Sequence, residues 1–263
     1  MKPSQKIKQN VVNQIAKTTL YENVSELMKM QQIYEAGIKE IRTKLEILDA
    51  EFKVKHDHNP IHHIESRLKS PESILKKAIN KDIPVTERSL EENIHDIAGV
   101  RVICNYVDDV YKVAQLLTDQ DDIRLVEVKD YIANPKESGY SSYHLIASVP
   151  VSFASGIVDV KVEIQIRTIA MDFWASLEHK IKYKYPEELP KNISKELKNS
   201  ARMVTKLDKK MSKLGRNLID EFEHDMATNK TLQIDEIKML DSPKTEYLIN
   251  VEEVIEQKGA LNE

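Results

Sequence analysis

The chain has 263 residues, 41% hydrophobic and 31% charged, enough for a domain core with helical extensions. Its net charge of −4 argues against a general affinity for nucleic acid, so no DNA partner is expected. A single cysteine, Cys104, excludes an internal disulfide, and no apolar run suits a membrane span or a signal-peptide core, so the expected compartment is the cytoplasm.

Low glycine (6) and many charged helix formers lean the chain toward helix. Residues 1–19 are polar and lysine-rich and read as loosely held. From Val24 a seam follows in steps of three and four: Leu27, Gln31, Tyr34, Ile38, Ile41, Leu45, Leu48 and Phe52. That spacing predicts a long helix packing lengthwise on another helix, with Gln31 as its one polar interruption. The histidines at 56, 58, 62 and 63 fit no standard zinc spacing, and no cysteine joins them. Asn59-Pro60 makes that stretch a turn.

Arg67 and Lys69 are alternate residues of a short extended piece, so both point to one side. Ser70-Pro71 then reads as an N-cap and first helical residue, with Ser73 in the first turn and Lys77 one turn beyond on the same face. Two cations, a hydroxyl, a helix N-terminus and a further lysine suit a polyphosphate. A solvated basic helix start is the plainer reading of the same residues.

Residues 100–106 predict a strand with Val100, Val102 and Cys104 inward and Arg101 outward. Cys104 is then a core residue. Asp96 stands just before this strand, where its carboxylate could meet one from a neighbour. Asp108-Asp109 opens a helix running to about Leu117 and reads as capping. Residues 123–131 predict another strand. The loop 132–139 follows it, and then a segment in which Tyr143, Leu145, Ala147 and Val149 point inward and Tyr140, Ser142 and His144 outward. An exposed tyrosine and histidine behind Lys136 suit a base and its phosphates.

Val158 to Arg167 alternates apolar and polar without a fault. Val158, Val160, Val162, Ile164 and Ile166 face a core, while Asp159, Lys161, Glu163, Gln165 and Arg167 face the other way, about 6.5–7 Å apart along the strand. Glu163 is the natural partner for Asp96, since an Asp and a Glu on adjacent strands commonly hold Mg²⁺ against substrate phosphates. Thr168 to about Tyr185 predicts a helix with Trp174, Phe173 and Leu177 as its packing residues. After breaks at Pro186 and Pro190, a helix from about Ile193 to Phe222 carries the stripe Leu197, Ala201, Val204, Leu207, Met211, Leu214 and Leu218. Residues 228–263 hold eight acids against four lysines and read as an acidic tail, with a short apolar segment at 247–255.

Four segments occur in a diagnostic order: Arg67-Leu68-Lys69, Asp96 to Arg101, Lys136 to His144, and Glu163 to Thr168. Together they resemble the synthetase domain of the (p)ppGpp synthetases over roughly residues 61–185, and the chain looks like a small alarmone synthetase of the RelP/RelQ type. The resemblance implies an α+β fold, a nucleotidyltransferase-like mixed sheet flanked by helices. The expected layout is a helical segment over 1–55, a catalytic domain over 56–186, a C-terminal helix over 187–225 and the acidic tail over 226–263. The implied enzyme is a GTP/GDP diphosphokinase that moves pyrophosphate from ATP to the 3′-hydroxyl of GDP or GTP and releases AMP, with no hydrolase domain. By resemblance, Arg67 and Arg101 sandwich the adenine, and Lys69, Ser73 and Lys77 hold the ATP phosphates. Asp96 binds Mg²⁺, and Glu163 shares the metal or draws the proton from the attacking hydroxyl. Tyr140 stacks on guanine, Lys136 and His144 hold the acceptor's phosphates, and Gln165 lies near the nucleotide. Where relatives carry an Asn that contacts guanine this chain has Asp172, whose carboxylate can accept from guanine N–H groups. The family also implies a homotetramer, assembled through the long helices. Two alternatives remain: an AMP-transferring enzyme of the same fold, and a catalytically silent nucleotide- or RNA-binding regulator.

Overall fold

The computed structural model describes residues 3–56, 58–185 and 189–240, with side chains over 28–217 apart from those at 57, 183 and 186–188. It divides into two compact units, 1–217 and 218–263. The first unit holds a five-stranded sheet in the order β1-β2-β5-β4-β3, made of β1 (Ile61–Leu68), β2 (Ala98–Cys104), β3 (Arg124–Asp130), β4 (Tyr143–Phe153) and β5 (Gly156–Thr168). Only the β2–β5 pair is parallel, so the sheet is mixed, as expected.

One face of the sheet is apolar. Val100, Val102, Leu145, Ala147, Val149, Val162, Ile164 and Ile166 are buried there, as the alternation predicts. Cys104 is fully buried among them, and burial pushes its thiol pKa up, which keeps it an unreactive core residue. Helix α1 (Pro3–Lys55) covers this face with Met30, Tyr34, Ile38, Ile41, Leu45 and Phe52. The seam is therefore spent on strands rather than on another helix, a correction to the sequence reading. Gly37 shows how close the approach is, since a Cβ there would lie 2.6 Å from Val160 Cγ1. Gln31, the polar interruption, donates to the Lys69 carbonyl at 3.2 Å. The helix also starts at Pro3, so the stretch read as loosely held is helical backbone.

α2 (Pro71–Asn80) is capped as predicted, with Ser70 Oγ accepting from the Ser73 N–H at 3.3 Å. α2, α3 (Glu87–Asn93) and α4 (Val107–Thr118) add Ile74, Leu90 and Val113 to the same core. Asp109 caps α4 by accepting from the Tyr106 N–H at 3.0 Å. It also meets His58 Nε2 at 2.9 Å in a half-buried pair. His62 and His63 bond each other at the surface, and among the described residues no cluster of three or more His, Cys, Asp or Glu could hold a metal.

At one end of the opposite face lie α5 (Ile169–Tyr183) and the start of α6 (Lys191–Leu240). Trp174, Ala175 and Ala201 form a small second core. Of the packing assigned to both helices from sequence, Trp174, Leu197, Ala201 and Val204 pack as expected, and the rest needs correction. Phe173 and Leu177 are exposed at 61% and 43%, and Leu207, Met211 and Leu214 at 48–57%. Ala201 of the expected stripe is buried, with Leu197 and Val204 packed beside it, and further along the buried positions of α6 are Asp208, Ser212 and Gly215. Close approach is the cause. A Cβ on Gly215 would sit 2.2 Å from the Tyr106 ring, and one on Gly139 would sit 2.4 Å from Ala201 Cβ. Only small residues fit, and Gly139 also needs its φ of +93° to turn the loop under α6. The helix continues through the predicted tail to Leu240, and the apolar segment at 247–255 lies outside the described residues.

Candidate active site

Strand register lines up a row of polar residues across the sheet. Glu65 on β1 pairs with Arg101, Arg101 with Gln165, Gln165 with His144, and His144 with Lys129. A second row sets Arg67 opposite Gly99 and Gly99 opposite Glu163. Cross-strand partners share a face, so Arg67, Arg101, Glu163 and Gln165 converge from three strands. They line a cavity of about 430 Å³ together with Lys69, Asp96, Gly99, Val100, Glu65 and Ser66.

Asp96 and Glu163 thus both line this one cavity. Both oxygens of Asp96 are engaged, Oδ2 by Lys69 Nζ at 2.6 Å and Oδ1 by Lys77 Nζ at 2.7 Å. Burial pushes this carboxyl up, but the two lysines outweigh it and hold the group below the usual carboxylate range. Glu163 follows the same logic. Burial raises its pKa, His144 and Gln165 pull it lower, and Asp96 acts against them, leaving a net depression. The site is thus built from acids kept ionised by donors that the fold supplies.

Arg101 bonds Glu65 at 3.2 Å and approaches Asp172 Oδ1 at 3.5 Å. Its Nε is buried without a partner among the described residues. That is an unspent donor beside the cavity. Ser73 is not among the cavity-lining residues, and its hydroxyl accepts from Ser70 Oγ at 3.0 Å.

Beyond Glu163 lies a second cluster. Tyr140 OH and His144 Nε2 are 2.9 Å apart, and His144 Nδ1 is 3.4 Å from Glu163 Oε1. Lys136 Nζ lies 5.1 Å from the Tyr140 ring centroid and 4.6 Å from that of Tyr131. The sequence reading placed an exposed tyrosine and histidine here. His144 is in fact buried at 8% exposure, Ser142 is fully buried and Tyr140 is half-buried. The outward face of this end of the sheet is roofed rather than open to water, with the second core of α5 and α6 packed against Tyr140.

The residue the sequence reading passed over is Arg167. It was placed on the polar parity of β5, within a recognised motif, and given no role. It is 5% exposed and bonds Tyr140 OH, Gln165, Ser142 and Asp172 at once. Asp172 thus spends Oδ1 on Arg167 at 3.1 Å. Its parity with Glu163 and Gln165 was the available signal. Glu65 and Ser66 were also missed, although Glu65 shares parity with Arg67 one step along β1.

Comparison with known proteins gives one picture. Residues 66–188 match the family model described as a region found in RelA / SpoT proteins. The chain is 49% identical over 179 residues to the GTP pyrophosphokinase YwaC of Bacillus subtilis, covering 68% of this chain and 85% of that protein. It is 40% identical over 181 residues to YjbM of the same organism, also a GTP pyrophosphokinase, covering 69% and 84%. A crystal structure of small alarmone synthetase 1 from Bacillus subtilis bound to its product pppGpp superposes with a TM-score of 0.68 at 38% identity, covering 73% of this chain and 97% of that one.

Proposed function

Because this chain belongs to the RelA/SpoT family and is a GTP pyrophosphokinase of the small alarmone synthetase kind, we propose that the cavity between Asp96 and Glu163 is where it transfers pyrophosphate. The donor is ATP and the acceptor GDP or GTP. The acceptor's ribose 3′-oxygen bonds to the β-phosphorus of ATP as the bond to the α,β-bridging oxygen breaks. The 3′-hydroxyl proton leaves to Glu163, and AMP departs.

The observation that carries this reading is the shared cavity, with two ionised carboxylates and cationic side chains around one space. Arg67 and Arg101 stand on adjacent strands and offer flat guanidinium groups to the adenine. Lys69 and Lys77, now on Asp96, neutralise the triphosphate, with Ser73 and the α2 N-terminus beside them. Asp96 and Glu163 together supply the oxygen-only donor set that suits Mg²⁺. When bound there, the ion neutralises phosphate charge. Tyr140 stacks on guanine, Lys136 and His144 meet the acceptor's phosphates, and Gln165 and Asp172 lie toward the acceptor base. Positioning and charge neutralisation do the work, with no covalent intermediate.

The partner we propose for the exposed apolar faces is a second copy of the chain. Ile169, Phe173 and Leu177 repeat every four residues on α5, and Met203, Leu207, Met211 and Leu214 form one stripe on α6. A homotetramer in the cytoplasm fits these faces and the single buried cysteine. No helix among the described residues is long and apolar enough to cross a membrane.

Incubation with ATP, Mg²⁺ and GDP or GTP tests the chemistry. The expected products are AMP and a 3′-pyrophosphorylated guanine nucleotide. Free pyrophosphate would point to an AMP-transferring enzyme, and no turnover to a silent nucleotide-binding regulator.

A further inference from the structure

Arg167 begins two arms that both run to Glu163, one hydrogen-bonded throughout and one that closes on a 3.4 Å approach of His144 Nδ1 to Glu163 Oε1. A guanidinium carries only N–H donors, so it fixes the direction of whatever lies beyond it. In the first arm, Arg167 Nη2 donates to the Tyr140 hydroxyl oxygen. That leaves the phenolic hydrogen free to be donated to His144 Nε2, 2.9 Å away. With Nε2 accepting, the ring hydrogen sits on Nδ1, which faces Glu163 Oε1 at 3.4 Å. In the second arm, Nη2 donates to Gln165 Oε1 at 2.8 Å, which turns the amide so that Nε2 donates to Glu163 Oε2 at 3.0 Å.

We propose that Arg167 is a positioning residue that sets the donor direction of both arms, holding His144 as the Nδ1–H tautomer and Glu163 as an acceptor on both oxygens. One buried guanidinium thereby ties the ring that meets the acceptor base to the carboxylate that takes the acceptor's proton. The catalytic part of this inference rests on the roles given above to Tyr140 and Glu163. The tautomer does not, because it is argued from groups of the protein alone, a phenol free to donate to Nε2 and an ionised Glu163 facing Nδ1. The contacts of Arg167 to Ser142 Oγ at 3.2 Å and Asp172 Oδ1 at 3.1 Å anchor the guanidinium from its other side. They would suffice if the residue merely fastened α5 to the sheet.

The test uses the full chain without nucleotide, labelled with ring-¹⁵N histidine, at alkaline pH. The His144 signals are assigned by their loss in His144→Gln. The expected spectrum has a protonated Nδ1 and a bare Nε2. Arg167→Gln puts an amide, which both donates and accepts, where only donors stood, and Tyr140→Phe removes the middle hydroxyl. Each should move His144 toward Nε2–H. In turnover, Arg167→Gln should lower kcat about 10²-fold and raise the acceptor KM, with the ATP KM unchanged, and Arg167→Lys should recover part of kcat. A wild-type His144 protonated on Nε2 overturns the proposal. So does an Arg167→Gln protein that keeps Nδ1–H and normal kcat. If Arg167→Gln fails to fold, Tyr140→Phe decides the tautomer by itself. An Nδ1–H ring in a protein that makes no alarmone would instead sink the catalytic reading and leave the directional frame standing.

Discussion

Gly99 on β2 sits directly opposite Glu163 on the parallel strand β5. Asp96, three residues ahead of Gly99, is thereby carried to the rim of the cavity that Glu163 lines. The missing side chain at Gly99 leaves open the space between them. Replacing Gly99 with alanine costs the protein little, because a Cβ there would meet only the Arg67 carbonyl at 3.5 Å. The methyl group would instead enter the cavity. Gly99→Ala should melt at the wild-type temperature and raise the ATP KM about tenfold or more, given how steeply misplacement is penalised. Titration calorimetry with a non-hydrolysable ATP analogue checks this, and unchanged affinity refutes it.

Glu163→Gln and Asp96→Asn keep shape and remove charge. Each should lower kcat by about 10²–10⁴-fold, the usual worth of a positioned proton acceptor or of charge stabilisation. The far-UV spectrum should hold, with a modest fall in melting point, because each carboxylate is stabilised as an anion in the folded chain. Normal turnover from either variant would remove the assigned roles.

Tyr140→Ala should act on acceptor affinity, since stacking of a base on an aromatic ring is worth roughly 1–3 kcal/mol. The GDP or GTP KM should rise while the ATP KM stays put. An unchanged acceptor KM counts against the stack.

Asp208 is a buried acid on α6 that accepts from Thr168 Oγ1 at 2.6 Å. Burial pushes its pKa above the ordinary 3.8, with the Thr168 bond pulling the other way. A carboxyl more easily protonated in the folded than in the unfolded chain favours folding at low pH. That advantage disappears as pH rises through the folded pKa, and above it the buried charge is a burden. Asp208→Asn should therefore raise the melting temperature at pH 7, with the gain shrinking as pH falls toward 4. Equal gains at both pH values would mean that charge is not the cause.

Phe173→Glu combined with Leu207→Glu places charges on the two exposed apolar faces. Light scattering should report the mass falling to the 30.3 kDa of one chain while the monomer stays folded. A wild-type protein already at that mass would refute the proposed assembly.

Strand parity made much of this site legible. Alternation alone put Arg101, Glu163, Gln165 and His144 on the polar side of three strands, and the register then aligned Arg101, Gln165 and His144 in one row. Parity says which way a side chain points and nothing of what covers it. His144 and Ser142 point outward as read and are nevertheless buried, because α5 and α6 pack over that end. The helices misled for a related reason. Leu207 and Met211 advertise a core stripe, whereas the face that packs is set by the clearance over Tyr106 and Gly139, which admits glycine, alanine and serine but no leucine. Arg167 went unread because a long cation on a strand usually finds water, and only the coordinates reveal four partners around it.

Among the described residues β5 is the last strand in sequence and the middle one in the sheet. Without it, β1–β2 and β3–β4 are two antiparallel pairs with no edge in common. Glu163, Gln165 and Arg167 arrive on the piece that zips the halves together, after long-range closure that makes such pairings slow. A chain that stops short of residue 163 has Arg67, Lys69 and Lys77 but lacks the carboxylate proposed to accept the proton. Such a chain should make none of the signalling nucleotide.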